Sequence, residues 1–250
     1  MSILKFDESP LYDNTLGNMA LQFRERGFAT VPNVFDRDSV DDYREMILSR
    51  IVNKNNHLSI PMNNPDILDI ARAPNLIRAL KTVFNYDGNP AAATLFHPSW
   101  LVANADPDEN EKRSGWHKDG DHDCYHSLFG YSFPRRVHIW ATLEDVTIDH
   151  GPTYVIPGSH RDINKSPYND EFQEEPLICN KENVIIWDQR TWHRGSPRRI
   201  PGYRLIAIFG FMGTIPLRKR TEAQKEACRL AKSDDEKVIF GGLFANDSDG

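Results

Sequence analysis

Two hundred and fifty residues with 30 basic and 36 acidic side chains carry a formal net charge of −6. That balance offers no overall attraction to phosphate backbones or anionic lipid, and the basic residues form only short clusters at Arg135-Arg136, Arg198-Arg199 and Arg218-Lys219-Arg220, so neither nucleic acid nor membrane is expected as a partner. No apolar stretch reaches the roughly 18 to 20 residues that span a bilayer, the start MSILKFDESP lacks a basic segment followed by an apolar one, and Cys124, Cys179 and Cys228 are too sparse for a disulfide framework, all of which points to the cytoplasm.

A chain of this length can share one core, and no repeat or proline-rich linker divides it, so a single domain is expected with a helical part to about residue 90, a β core over 91–212 and a helix and tail over 213–250. Leu16, Met19, Ala20 and Phe23 recur at helical spacing before Gly27, a residue suited to the position past a helix end. Phe28 to Val31 reads as a short strand. Ser39 with Asp42 resembles a capping box opening a second helix, whose apolar face continues through Val40, Tyr43, Ile47 and Ile51. Pro65 and Pro74 each stand at a first helical position, ahead of amphipathic stretches over 65–71 and 74–84.

From Ala91 the pattern becomes extended. Arg135 to Asp145 alternates Val137, Ile139, Ala141 and Leu143 against His138, Trp140, Thr142 and Glu144, and Asn183 to Trp187 is a shorter apolar strand. Tyr203 to Phe211 alternates Tyr203, Leu205, Ala207 and Phe209 against Arg204, Ile206 and Ile208, which puts one arginine on a largely apolar face where it needs a partner. Thr221 with Gln224 opens a last helix to about Lys232. The tail KVIFGGLFAND is apolar enough either to cover the core or to join two subunits as a homodimer.

Side chains two apart on a strand project to one side, so a His-x-Asp pair can offer a nitrogen and an oxygen to one metal ion. With nine histidines and 36 acidic residues, roughly one such pair arises by accident; the chain has two, His117-Lys118-Asp119 and His160-Arg161-Asp162. The second follows Pro157-Gly158-Ser159, a turn in which the same-face argument fails. His193 lies just beyond the Ile185-Ile186-Trp187 strand and is a candidate third ligand, since two histidines and one carboxylate leave open positions on iron. Arg204 follows on the next strand, and a guanidinium there suits a bidentate grip on a carboxylate. A metal triad beside such a clamp describes a co-substrate site.

Between these motifs lies the segment GDHDCYHSLFGYSFP, a lid candidate; in the family whose resemblance is named below, the stretch after His-x-Asp borders the substrate, which implies that His122, Tyr125 and His126 present polar groups to it. The spacing His122, Cys124, His126 also admits a second metal site, and a solvated loop is the third reading. Trp100, Trp187, Trp192 and Arg190 are further candidates for shaping the pocket.

Together, Trp116-His117-Lys118-Asp119, the segment Gly151-Pro152-Thr153-Tyr154-Val155-Ile156-Pro157-Gly158-Ser159-His160, His193 with Arg204, and the opening Arg26-Gly27-Phe28-Ala29-Thr30-Val31-Pro32-Asn33-Val34 resemble the phytanoyl-CoA dioxygenase family over about residues 16–212. The resemblance implies a mainly β fold with flanking helices, a double-stranded β-helix or jelly roll with the N-terminal helices packed on its major sheet. It implies Fe(II) held by His117, Asp119 and His193, 2-oxoglutarate as co-substrate with its distal carboxylate on Arg204, and O2. Thr153 and Trp140 fall where relatives line the co-substrate pocket, and His160 becomes structural, which decides between the two His-x-Asp pairs. Two positions depart from the family pattern: Gly115 stands where relatives carry a polar residue, and Gly195 with Ser196 where they carry serine two after the last histidine. Asp119 is present where related halogenases have Gly or Ala, so oxidation rather than chlorination is implied.

The expected activity is oxidation of an aliphatic C–H of a small molecule of specialised metabolism, most simply hydroxylation, with release of succinate and CO2. Two alternatives stand beside it: a jelly-roll metalloenzyme, an isomerase or simple dioxygenase, in which Arg204 binds a substrate acid, and a non-catalytic binding protein on the same fold.

Overall fold

The computed structural model describes residues 3–51, 57–61, 63–84, 94–104, 115–119, 136–161, 166–169, 171–212, 221–237 and 239–240. The lid candidates His122, Tyr125 and His126, together with Cys124, lie outside the described residues, as does Asp162.

Helix α1 (Asp13–Arg26) ends at Gly27, whose left-handed φ of 83° lets its N–H bond the Phe23 carbonyl at 2.8 Å. Strand β1 (Phe28–Val31) leads to α2 (Arg37–Arg50). The expected Ser39–Asp42 capping box is corrected here. Asp36 is the cap, its carboxylate accepting from Ser39 N at 3.0 Å, while the Ser39 hydroxyl turns back to the Asp36 carbonyl. A carboxylate placed against the free N–H groups of a first turn serves the same end as a serine cap and also matches the helix dipole.

Strand β2 (His57–Ser59) and helices α3 (Pro65–Ala71) and α4 (Pro74–Phe84) complete the N-terminal part. Both helices open on proline as expected, and Asn64 caps α3 through Asp66 N and Ile67 N.

Six strands then form one antiparallel sheet in the order β1-β7-β4-β9-β3-β2, where β3 is Thr94–Asn104, β4 Arg136–Ala141, β7 Val184–Asp188 and β9 Tyr203–Met212. Strand β4 ends at Ala141 rather than near Asp145. Leu143 takes a positive φ of 51° and Thr142 Oγ1 bonds the Glu144 carbonyl at 3.0 Å, so the chain turns where alternation alone suggests continuation. A second sheet joins β6 (Glu175–Pro176), β5 (Tyr154–Val155) and β8 (His193–Arg194). The chain closes with α5 (Glu222–Arg229), begun by the expected Thr221–Gln224 capping box, and α6 (Asp234–Lys237).

Period-2 alternation divides the large sheet between two cores. Val137, Ile139, Ala141, Val184, Ile186, Leu205, Ala207, Phe209 and Phe211 meet α1 to α4 on one side, with Ile239 and Phe240 in the same cluster. Each leucine or phenylalanine buried there stabilises by about 1.5–3 kcal/mol. Trp140, Ile185, Trp187 and Ile206 face the other way and pack with Val155 and Leu177 of the small sheet. Two sheets closed on an apolar interior, with helices on the outer face of the larger one, make a jelly roll. Among the described residues no helix is long and apolar enough to cross a membrane.

Candidate metal centre

The segment 115–119 is held at the edge of the small sheet by backbone bonds. His117 and His193 exchange both of their main-chain hydrogen bonds, at 2.9 and 3.0 Å, and Asp119 N bonds the Gln189 carbonyl at 3.0 Å. Residues directly opposite in an antiparallel pair put their side chains on one face. The two imidazoles accordingly lie 4.2 Å apart, although 76 positions separate them in sequence.

Each ring is oriented by the peptide two residues before it. His117 Nδ1 donates to the Gly115 carbonyl at 2.9 Å, and His193 Nδ1 to the Thr191 carbonyl at 3.0 Å. That places the proton on Nδ1 in both and leaves an Nε2 lone pair facing Asp119, whose Oδ1 lies 3.8 Å from His117 Nε2 and 3.6 Å from His193 Nε2. The three donor atoms lie within 4.8 Å of one another. Burial pushes the His193 imidazole down to about 3, with His117 adding to the effect and the Thr191 carbonyl opposing it, so the ring is neutral at physiological pH. His193 is buried, whereas His117 and Asp119 are 48% and 38% exposed at the side chain, so the triad is open on their side. Two imidazoles and a carboxylate with converging donor atoms are the donor set of a two-histidine, one-carboxylate iron site, and these residues fit the ion.

Arg204 sits on the interior face of β9 with Ile206 and Ile208. The neighbouring interior positions carry Trp140, opposite Ile208 in the β4–β9 register, and Trp187. Both rings touch His193, with centroids 6.0 Å and 4.3 Å away. Arg204 Nη1 donates to the Gly151 carbonyl, while its Nε is buried without a hydrogen-bond partner among the described residues. Glu144, the carboxylate whose charge bears on Arg204, is taken by Arg198 Nη1 through both oxygens at 2.9 and 3.0 Å. Burial lowers the Arg204 pKa, with Glu144 opposing. Among the described residues this cation has no salt bridge, and the indole N–H groups of Trp140 and Trp187 are likewise buried without an acceptor. Idle buried donors around a guanidinium suit an oxygen-rich dianion such as 2-oxoglutarate.

Thr153 is half-buried ahead of β5, two residues from Gly151, and its carbonyl accepts from Leu177 N at 2.8 Å. His160 lies in a 3-10 turn over Ser159–Arg161, apart from the triad, and its Nε2–H donates to the Arg24 carbonyl at 3.1 Å. Gly195 stands where the resemblance leads one to expect serine, and the adjacent Ser196 donates from Oγ to the Pro152 carbonyl at 2.5 Å.

Sequence reasoning misses His138. Its Nδ1 lies 3.5 Å from Asp119 Oδ2, its ring meets Trp187 edge-on at 5.0 Å, and burial pushes its pKa down to about 4 against the pull of Asp119. The signal was present in the alternation, which sets His138 on the same face of β4 as Trp140.

A family model described as phytanoyl-CoA dioxygenase (PhyH) matches residues 51–206. Among solved structures the chain is similar to the non-heme alpha ketoglutarate dependent epimerase SnoN from nogalamycin biosynthesis, with a TM-score of 0.62 at 15% identity over 80% of this chain and 84% of that one. It is also similar to iron-bound HygX from Streptomyces hygroscopicus, with a TM-score of 0.62 at 17% identity over 82% and 88%. An uncharacterised protein of Mycobacterium tuberculosis is 29% identical over 94 residues, 34% of each chain, so the match spans about a third of the length of such curated relatives. The structural neighbours share the jelly roll, and the family model covers well over half of the sequence: the chain belongs to the phytanoyl-CoA dioxygenase family.

Proposed function

We propose that the chain is an Fe(II)- and 2-oxoglutarate-dependent oxygenase that oxidises an aliphatic C–H of a small molecule, with hydroxylation as the outcome. The observation that carries this reading is the meeting of His117, Asp119 and His193, with both imidazoles in the ligating tautomer, on the same jelly roll as an interior arginine that has no salt bridge among the described residues. Family membership supports it, as do relatives' structures: SnoN has been solved with Fe3+, alpha ketoglutarate and nogalamycin RO, and HygX with nickel and 2-oxoglutarate. SnoN's place in nogalamycin biosynthesis favours a substrate of specialised metabolism.

In this reading His117, Asp119 and His193 hold the iron, and Arg204 takes the far carboxylate of 2-oxoglutarate beside Trp140 and Thr153. When bound, iron and 2-oxoglutarate together supply an oxidant made from O2, with succinate and CO2 as by-products. The chain's own part is to bind and orient. The Thr191 and Gly115 carbonyls keep both Nε2 lone pairs directed inward, and the tryptophans exclude water from the inner wall. The exposed side of His117 and Asp119 is where substrate would enter.

The test is anaerobic addition of Fe(II) and then 2-oxoglutarate to the purified protein, followed by exposure to air with candidate substrates. A weak visible charge-transfer band and succinate release are expected, both absent in His193→Ala. Fe(II) binding with neither band nor succinate would point to a metalloenzyme that does not use 2-oxoglutarate. No Fe(II) binding at all would leave a binding protein.

A further inference from the structure

We propose that His138 is a positioning residue that donates from Nδ1 to Asp119 Oδ2, leaving Oδ1 as the single carboxylate oxygen turned toward the metal; the inference rests on the iron reading above. The two oxygens of Asp119 face different partners. Oδ1 is flanked by the Nε2 atoms of His117 and His193 at 3.8 and 3.6 Å, and Oδ2 looks at His138 Nδ1 at 3.5 Å. The His138 side chain is only 13% exposed, and its ring stands edge-on to Trp187 at 5.0 Å with an interplanar angle of 81°, while Trp187 itself packs on His193 at 4.3 Å. One buried indole therefore spaces the ligand His193 from the non-ligand His138, and β4 supplies His138 from the sheet opposite the triad.

The distinction between the two oxygens has a chemical consequence. Asp119 is 38% exposed, and among the described residues its backbone is tied by the Asp119 N bond to Gln189, so its carboxylate can rotate unless its outer oxygen is held. A carboxylate that gives both oxygens to an ion of six positions occupies two of them. With two histidines, that leaves too few for a chelating keto acid and O2 together. A donor on Oδ2 keeps the ligand single-toothed, and such outer contacts typically change metal affinity by about 10–100-fold when lost.

The test uses the full chain with Co(II) as an air-stable probe, followed by titration calorimetry and the visible d–d absorption. His138→Leu removes the donor at similar bulk, His138→Asn places an amide N–H2 near the Nδ1 position, and His138→Gln places its amide one bond too far. Expected are a Co(II) Kd about 10–100-fold higher for Leu and for Gln, and recovery to within about threefold of wild type for Asn. Should the Leu variant not fold, the Asn and Gln pair decides. Wild-type affinity in Leu or Gln, or an Asn variant no better than Gln, overturns the role of His138 while leaving the iron site standing. Failure of the wild-type chain to bind Co(II) or Fe(II) overturns both.

Discussion

Arg204 is buried on an apolar strand face, where a guanidinium costs several kcal/mol to desolvate unless something answers its charge. Among the described residues its hydrogen bond goes to a carbonyl oxygen, that of Gly151, which satisfies one N–H and none of the charge. Glu144, the carboxylate whose field reaches it, is committed to Arg198. The balance closes when a ligand carboxylate occupies the free Nε side, and charge-assisted bonds of that kind contribute about 1.5–3 kcal/mol each. Arg204→Met, similar in length and without charge, is therefore expected to weaken 2-oxoglutarate binding to the Co(II)-loaded protein by about 10–100-fold while leaving Co(II) affinity within about threefold. Titration of each ligand separately reads the two numbers, and equal losses in both would mean that Arg204 supports the barrel rather than the co-substrate.

The end of α1 is tied to the metal centre through its cap. Gly27, at φ 83°, accepts at its carbonyl from Asp188 N at 2.7 Å and Thr191 Oγ1 at 3.2 Å, and a Cβ there would lie 2.4 Å from Thr191 Oγ1 and 2.5 Å from His160 Nδ1. Thr191 is also the residue whose carbonyl orients His193. Gly27→Ala is thus expected to destabilise by about 1–3 kcal/mol through left-handed strain and crowding, and to raise the Co(II) Kd because Thr191 must shift. Thermal melts and Co(II) titration on the same preparation check both, and a destabilised variant with wild-type Co(II) affinity would break the link between this cap and His193.

Helix positions such as these were legible beforehand, since Gly27, Pro65, Pro74 and Thr221 carry local signals that need no tertiary contact. The strand ends were not. Nothing in the alternation of β4 reveals that Leu143 adopts a positive φ, because the Thr142 bond that accompanies the turn is local but not periodic. Asp36 outcompetes Ser39 for the α2 cap for a similar reason: both residue types cap, and only the path of the chain chooses between them. At the site, period-2 spacing and the family resemblance singled out His117, Asp119, His193 and Arg204. The pairing of His138 with Asp119 comes from the closure of one sheet over the other, which no local spacing encodes.

Over the whole molecule, the helices and the barrel interior meet at a seam where buried polar groups replace apolar packing. Asp188 pairs with Arg190 through both oxygens, at 2.9 and 2.6 Å, and His160 bridges from its turn to the end of α1. Burial pushes the His160 pKa below its ordinary value; Asp188 and the Arg24 carbonyl oppose the shift, and Arg190 and Arg161 add to it. In the unfolded chain this imidazole titrates near 6.5. At any pH between that value and the lower folded one, the unfolded chain holds a proton that the folded chain refuses, so acidification favours unfolding. The contribution is fully present above about pH 6.5 and is lost as pH falls toward the folded value. His138 and His193 are shifted the same way, so the profile of metal-free protein sums all three. His160→Gln keeps an N–H for the Arg24 carbonyl and removes the titration, which isolates one member. Urea unfolding of metal-free protein at several pH values between 7.5 and 5 is expected to show wild-type stability falling more steeply than that of the variant, by at most one proton's slope of about 1.4 kcal/mol per pH unit. Parallel profiles would mean that His160 becomes protonated in place and that the seam tolerates its charge.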